Sequence, residues 1–142
     1  MTVDKEKLRQ KLHFMRENIK LLEENFKRMA LDEFKNNSIY EPAATRMLQI
    51  TIEAMLDICA HIIAREALGM PKTYKDIVQI AVKNDLIPNE MEKTFINMSK
   101  FRNRVVHLYN EIESEEILEI IKSHLDDFHP FMKNVVNKYF KN

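Results

Sequence analysis

The sequence predicts an all-α fold, an up-and-down bundle of four to five helices in a single domain over residues 1–142, and three observations carry that reading. Apolar residues recur at alternating spacings of three and four through most of the chain, the period of a helix stripe. One glycine and four prolines leave little material for hairpin turns. Hydrophobic content of 45% against 31% charge suits one soluble globular core of this length.

Leu8, Leu12, Met15, Ile19, Leu22, Phe26 and Met29 mark a first amphipathic helix over about residues 4–29. Residues 34–41, with Asn36, Asn37 and Ser38, read as a connection, because short polar side chains compete for backbone hydrogen bonds. Pro42 suits the first turn of a second helix running to about Leu68. Leu48, Ile52, Met55, Cys59 and Ile62 form one stripe on it, widened by Met47, Ile50, Ala54, Ile58 and Ala60, so this helix is central or shared with a partner. Only the line Arg46, Gln49, Glu53, Asp57 is polar, either a solvated strip or the wall of a cleft or subunit interface near residues 100–109, where Glu53 and Asp57 could orient an arginine or histidine. Gly69 and Pro71 end the helix, glycine as the left-handed cap. Thr73 with Asp76 opens a short helix that Asn84 and Asp85 close. Residues 87–90 start a fourth helix whose buried side is Phe95, Met98, Phe101, Val105 and Leu108. Ser114, followed by Glu115 and Glu116, caps a closing helix that reaches nearly to the end and kinks at Pro130.

The densest chemistry lies in residues 100–109, on the fourth helix. Arg102 can grip a phosphate oxygen through a two-pronged hydrogen bond, an imidazole such as His107 can exchange a proton near neutral pH, and Tyr109 offers a phenol. At about 100° per residue a continuous helix aligns Arg102 with Tyr109 and sets Asn103 one turn from His107. These are parts for phosphodiester chemistry. RNA carries its own nucleophile, so a base at the 2′-hydroxyl and a cation at the phosphorus suffice, without metal or cofactor. Formal charge is zero, 22 basic against 22 acidic side chains, so any hold on nucleic acid must come from a local patch. Lys100, Arg102 and Arg104 are the candidates for RNA contact. The competing structural reading gives Arg102, His107 and Tyr109 the task of knitting helix ends together.

The string Phe101-Arg102-Asn103, three residues, His107, one residue, Tyr109 resembles the signature of the HEPN superfamily in its HepT-like branch, and the helix layout matches over essentially the whole chain. That resemblance implies a homodimeric HEPN-like bundle in which two copies of the motif share a cleft. It further implies a metal-independent endoribonuclease acting as the toxin of a type VII toxin–antitoxin pair. An MNT-type nucleotidyltransferase antitoxin would silence it by AMPylation. Carried over residue by residue, Arg102 and His107 are catalytic, Asn103 supports them, and Tyr109 is the modification target. The alternative is a helical module that binds nucleotide or protein and does not cut.

A lone Cys59 excludes an internal disulfide and a cysteine-cluster metal site. His61 lies one turn after Asp57, too few ligands for a metal, while His13, His124 and His129 read as surface or packing histidines. Residues 1–7 lack the apolar run of a secretory signal, and no uninterrupted apolar run approaches the ~20 residues that span a bilayer, so the expectation is cytoplasmic, with no membrane partner.

Overall fold

The computed structural model describes residues 2–141; Met1 and Asn142, the ends of the expected domain, lie outside the described residues. Helix α1 runs Lys5–Phe26 and begins where the Asp4 carboxylate accepts the Lys7 amide at 3.1 Å. Leu8, Leu12, Met15, Ile19, Leu22 and Phe26 are its buried side, and Met29 lies beyond its end. A short helix, α2, spans Leu31–Asn36 and takes in the first residues of the connection expected over 34–41. Burial of Phe34 explains it: its ring meets Phe26 edge-on at 5.8 Å, and Asp32 and Glu33 complement the helix N-terminus. The real connection is residues 37–39, where the Asn37 side chain accepts the Ile39 amide at 2.9 Å.

Helix α3, Tyr40–Arg65, takes Pro42 in its first turn and forms the centre of the bundle. By length and composition it could cross a membrane, but its apolar residues are the core: Leu48, Ile52, Met55, Cys59 and Ile62 are all at most 1% exposed. Burial pushes the Cys59 thiol up to about 12, which makes it an inert packing group. Around α3 pack α1, α2, α4 (Tyr74–Lys83), α5 (Glu92–His107) and α6 (Ser114–Ser123). Helix α7, Phe128–Tyr139, completes the chain, with Phe128 and Phe131 against Phe95 of α5.

Seven α-helices therefore stand among the described residues where four to five are expected. Besides α2, the added one comes from the closing helix, which is two. The break falls at His124, ahead of a 3-10 turn over Leu125–Asp127. Pro130 causes no kink, because it occupies the first turn of α7, where a missing N–H costs nothing. Nor does Ser114 cap α6. Glu113 is the cap residue, and the Ser114 hydroxyl donates across to Glu41 of α3 at 2.5 Å.

The cap of α3 also differs from the expectation. Ala67, not Gly69, takes the left-handed conformation at φ 54°, with Leu68 N–H donating to Ile63 O and Ala67 N–H to Ala64 O. Helix α4 ends the same way, Asp85 at φ 62° and Leu86 N–H donating to Ala81 O. Gly69 serves close packing instead: a Cβ there would sit 2.8 Å from Ile80 Cδ1. Thr73 and Asp76 start α4 as expected, the threonine accepting the Asp76 amide at 3.1 Å and the carboxylate accepting the Lys72 amide at 2.9 Å.

The start of the chain is fastened to α3 by His61, whose Nε2 accepts the Asp4 amide at 2.9 Å, and by Arg65, which donates to Thr2 O at 3.0 Å. Burial, with Lys7 and Arg65 nearby, lowers the His61 pKa below its ordinary 6.5, against a weaker opposing effect of Asp4. The unfolded chain therefore takes up that proton first. His61 contributes a stability that is complete above about pH 6.5 and declines as pH falls toward the lower folded-state value. Chemical denaturation between pH 7 and 5.5 will show stability falling with pH, and His61→Gln will reduce that slope; an unchanged slope would contradict the assignment. Ala67→Gly relieves a left-handed alanine and will raise unfolding stability by about 0.5–1 kcal/mol, whereas a loss would contradict the cap geometry.

Candidate nuclease site on α5

Arg102 is held from three directions. Its Nε donates to Glu53 Oε2 of α3 at 2.8 Å, its Nη1 to Asn103 Oδ1 at 3.2 Å, and its guanidinium lies over the Tyr74 ring of α4 at 5.2 Å. The two ion-pair side chains are only 19% and 27% exposed, and Gln49 donates to the same Glu53 oxygen at 3.2 Å. The polar line on α3 thus divides by partner. Glu53 meets the motif arginine, as one reading of the sequence expected. Asp57, one turn on, faces α1 and pairs with Lys11 at 3.0 Å, so it lines no cleft with the motif. Arg46 is exposed.

Helix α5 ends at His107, whose side chain is exposed. It stands five positions after Arg102, so helix geometry sets the two about 140° apart around the axis and about 7.5 Å along it. Arg102 turns inward against α3 and α4, and His107 stands at the helix tip. Asn103, one turn before His107, gives its carbonyl oxygen to Arg102, which makes it a brace for the guanidinium. Arg104 and His107 in the last turn suit the negative end of the helix dipole.

Tyr109 departs from expectation. Leu108, at φ −135° and ψ 42°, breaks the helix, and Tyr109 begins a 3-10 turn over Tyr109–Glu111. The alignment of Arg102 with Tyr109 along a continuous rod therefore does not exist. Leu108, expected on the buried side, is 48% exposed, and Tyr109 is 43% exposed. The chain turns because Ile112, further on, enters the core, with Ile112 N–H donating to Tyr109 O at 3.1 Å.

The three basic residues do not form one patch. Lys100 and Arg104 share a face, while Arg102, two positions from each, lies about 160° away from it. Arg104 makes a two-pronged pair with Glu116 of α6 and lies over the Phe101 ring at 5.8 Å. That pairing raises the Arg104 pKa and leaves the guanidinium committed within the chain. With exposed Lys100 it borders a cleft of about 380 Å³ between α5 and α6, floored by Leu48, Ile52, Phe101 and Phe128. Arg102 and His107 take no part in that cleft. His124 and His129 are exposed and sit beside acids of the Leu125–Asp127 turn, His124 at 2.8 Å from Asp127 and His129 at 3.6 Å from Asp126.

Two residues at the arginine escaped sequence reasoning in this role, Tyr74 and Gln49. Gln49 stands one turn before Glu53, and the polar line does contain it. Tyr74 carries no spacing signal, since it belongs to another helix.

Comparison with known proteins puts this geometry in context. The chain is 29% identical over 100 residues to the mRNA nuclease HepT of Shewanella oneidensis, a match covering 70% of this chain and 75% of that protein. It is 25% identical over 115 residues to the tRNA nuclease HepT of Aphanizomenon flos-aquae, covering 80% and 77% respectively. Among solved structures, the tri-AMPylated Shewanella oneidensis HEPN toxin in complex with its MNT antitoxin is similar, with a TM-score of 0.82 at 25% identity over 91% of this chain and 96% of that one. The family model described as ribonuclease HepT-like matches residues 15–135, which include α5 and its motif, and the chain belongs to that HepT-like HEPN family.

Proposed function

We propose that this protein is a metal-independent endoribonuclease, the toxin of a type VII toxin–antitoxin pair, acting in the cytoplasm as a single-domain subunit of a homodimer. One observation carries the reading: a half-buried arginine, fixed by Glu53 and Tyr74, on the same rigid helix as an exposed terminal histidine. The names of the similar proteins, nucleases and an antitoxin-bound HEPN toxin, support it.

In this reaction His107 removes the proton of a ribose 2′-hydroxyl, whose oxygen then attacks the adjacent phosphorus. Arg102 stabilises the added negative charge on the phosphorane through its outward N–H groups. The bond to the 5′ oxygen breaks, that oxygen takes a proton from water, and a 2′,3′-cyclic phosphate remains. DNA lacks the attacking hydroxyl and is not cut. Since the imidazole and guanidinium of one copy lie on different sides of α5, a second copy closing over the motif supplies what one lacks. Exposed Val106, Leu108 and Tyr109, at the end of α5 and just beyond it, offer apolar groups for it.

Tyr109, exposed and off the helix, is an accessible acceptor for AMP from an MNT-type nucleotidyltransferase. The modification would add bulk and negative charge beside the RNA phosphate and oppose binding.

Purified protein will cut RNA, and spare DNA, in excess chelator. Arg102→Ala and His107→Ala will each lower the rate by on the order of a hundredfold or more while circular dichroism stays unchanged. Nucleotide affinity without cutting would instead favour a binding module. With the antitoxin and ATP, intact mass will rise in multiples of AMP, and Tyr109→Phe will abolish the increase; an undiminished increase in that variant would place the modification elsewhere.

A further inference from the structure

We propose that Tyr74 is a positioning residue of the nuclease site, setting the plane of the Arg102 guanidinium so that its free edge meets the phosphate. The proposal rests on the ribonuclease reading. A guanidinium is planar and sits on a long flexible stem, so its aim requires more than one restraint. Glu53 takes Nε at 2.8 Å and Asn103 takes Nη1 at 3.2 Å, which hold two of the three nitrogens on opposite flanks of the group. Two in-plane bonds still leave the group free to tilt. The Tyr74 ring, 5.2 Å from the guanidinium carbon, opposes that tilt from the face. With these contacts made, Nη2 has no partner among the described residues and remains available to a substrate oxygen.

The ring itself is well anchored. Tyr74 is the first residue of α4 and packs against the core. The turn before it is tied down by the Thr73 and Asp76 capping bonds, and Gly69 allows that turn to lie directly on Ile80 of α4. The capping bonds fix the start of α4 and, with it, the ring beside the arginine. The hydroxyl is not needed for this work, because the interaction is with the ring face.

Steady-state cleavage of a short RNA tests the assignment. Tyr74→Leu will lower kcat by on the order of tenfold with KM within about twofold, and Tyr74→Phe will retain wild-type kcat. In an Arg102→Lys background, Tyr74→Leu will add no further loss, because a point-charge ammonium has no plane to set. A merely structural tyrosine would give the same fractional loss in both backgrounds. Thermal unfolding of every variant corrects for the folded fraction. Wild-type kcat in Tyr74→Leu, or an equal loss on Arg102→Lys, overturns the role of Tyr74 and leaves the nuclease reading standing. Wild-type protein that cuts no RNA in a His107-dependent way overturns that reading and this proposal together.

Discussion

The structure depends on α3 being apolar around most of its circumference. A helix of that kind must be covered on nearly every side, and α1, α2, α4, α5 and α6 do so. Burying Leu48, Ile52, Met55 and Ile62 stabilises the chain by about 1.5–3 kcal/mol for each side chain before conformational entropy is counted. Once those neighbours are fixed, few places remain for polar groups. The carboxylate of Glu53 emerges where α4 and α5 converge on α3, and Arg102 of α5 meets it there.

That pair sits between two regimes. A fully exposed ion pair adds little stability, and a fully buried one suffers a desolvation cost that often cancels the attraction. At 19% and 27% side-chain exposure, Arg102 and Glu53 lie between those limits, sheltered enough to keep one geometry. Arg104 shows the contrast on the same helix. Its guanidinium satisfies Glu116 on both prongs and fastens α5 to α6, whereas Arg102 uses Nε and Nη1 and leaves Nη2 without a partner among the described residues. Two arginines two residues apart are therefore held differently, Arg104 joining α5 to α6 and Arg102 joining α5 to α3 through Glu53.

Much of the fold could be read from spacing, because burial on a helix imposes a period. The stripes of α1 and α3 and the buried side of α5 as far as Val105 follow from it, and Glu53 was visible as a carboxylate on an otherwise apolar helix. Helix ends were harder. No glycine or proline lies between Lys100 and Ser114, yet the chain leaves the helix at Leu108 to bring Ile112 into the core, a tertiary demand invisible to local pattern. Ala67 takes the left-handed cap that Gly69 appeared suited to, and Gly69 lies two residues past it, close against Ile80. Pro130 suggested a kink and instead serves a helix start. At the site, Arg102, Asn103 and His107 were legible as a string, while Tyr74 was not, because only three-dimensional packing brings α4 to the arginine.

The proposed chemistry requires Arg102 and His107 to act on one ribose phosphate. The most direct measurement is a structure of the protein bound to an RNA whose scissile ribose lacks the 2′-hydroxyl and so survives intact. The expected result is a single phosphate within hydrogen-bond distance of an Arg102 guanidinium, with a His107 imidazole at the adjacent 2′ position. Density for the RNA along Lys100 and the α5–α6 cleft, with Arg102 and His107 both untouched, would contradict it.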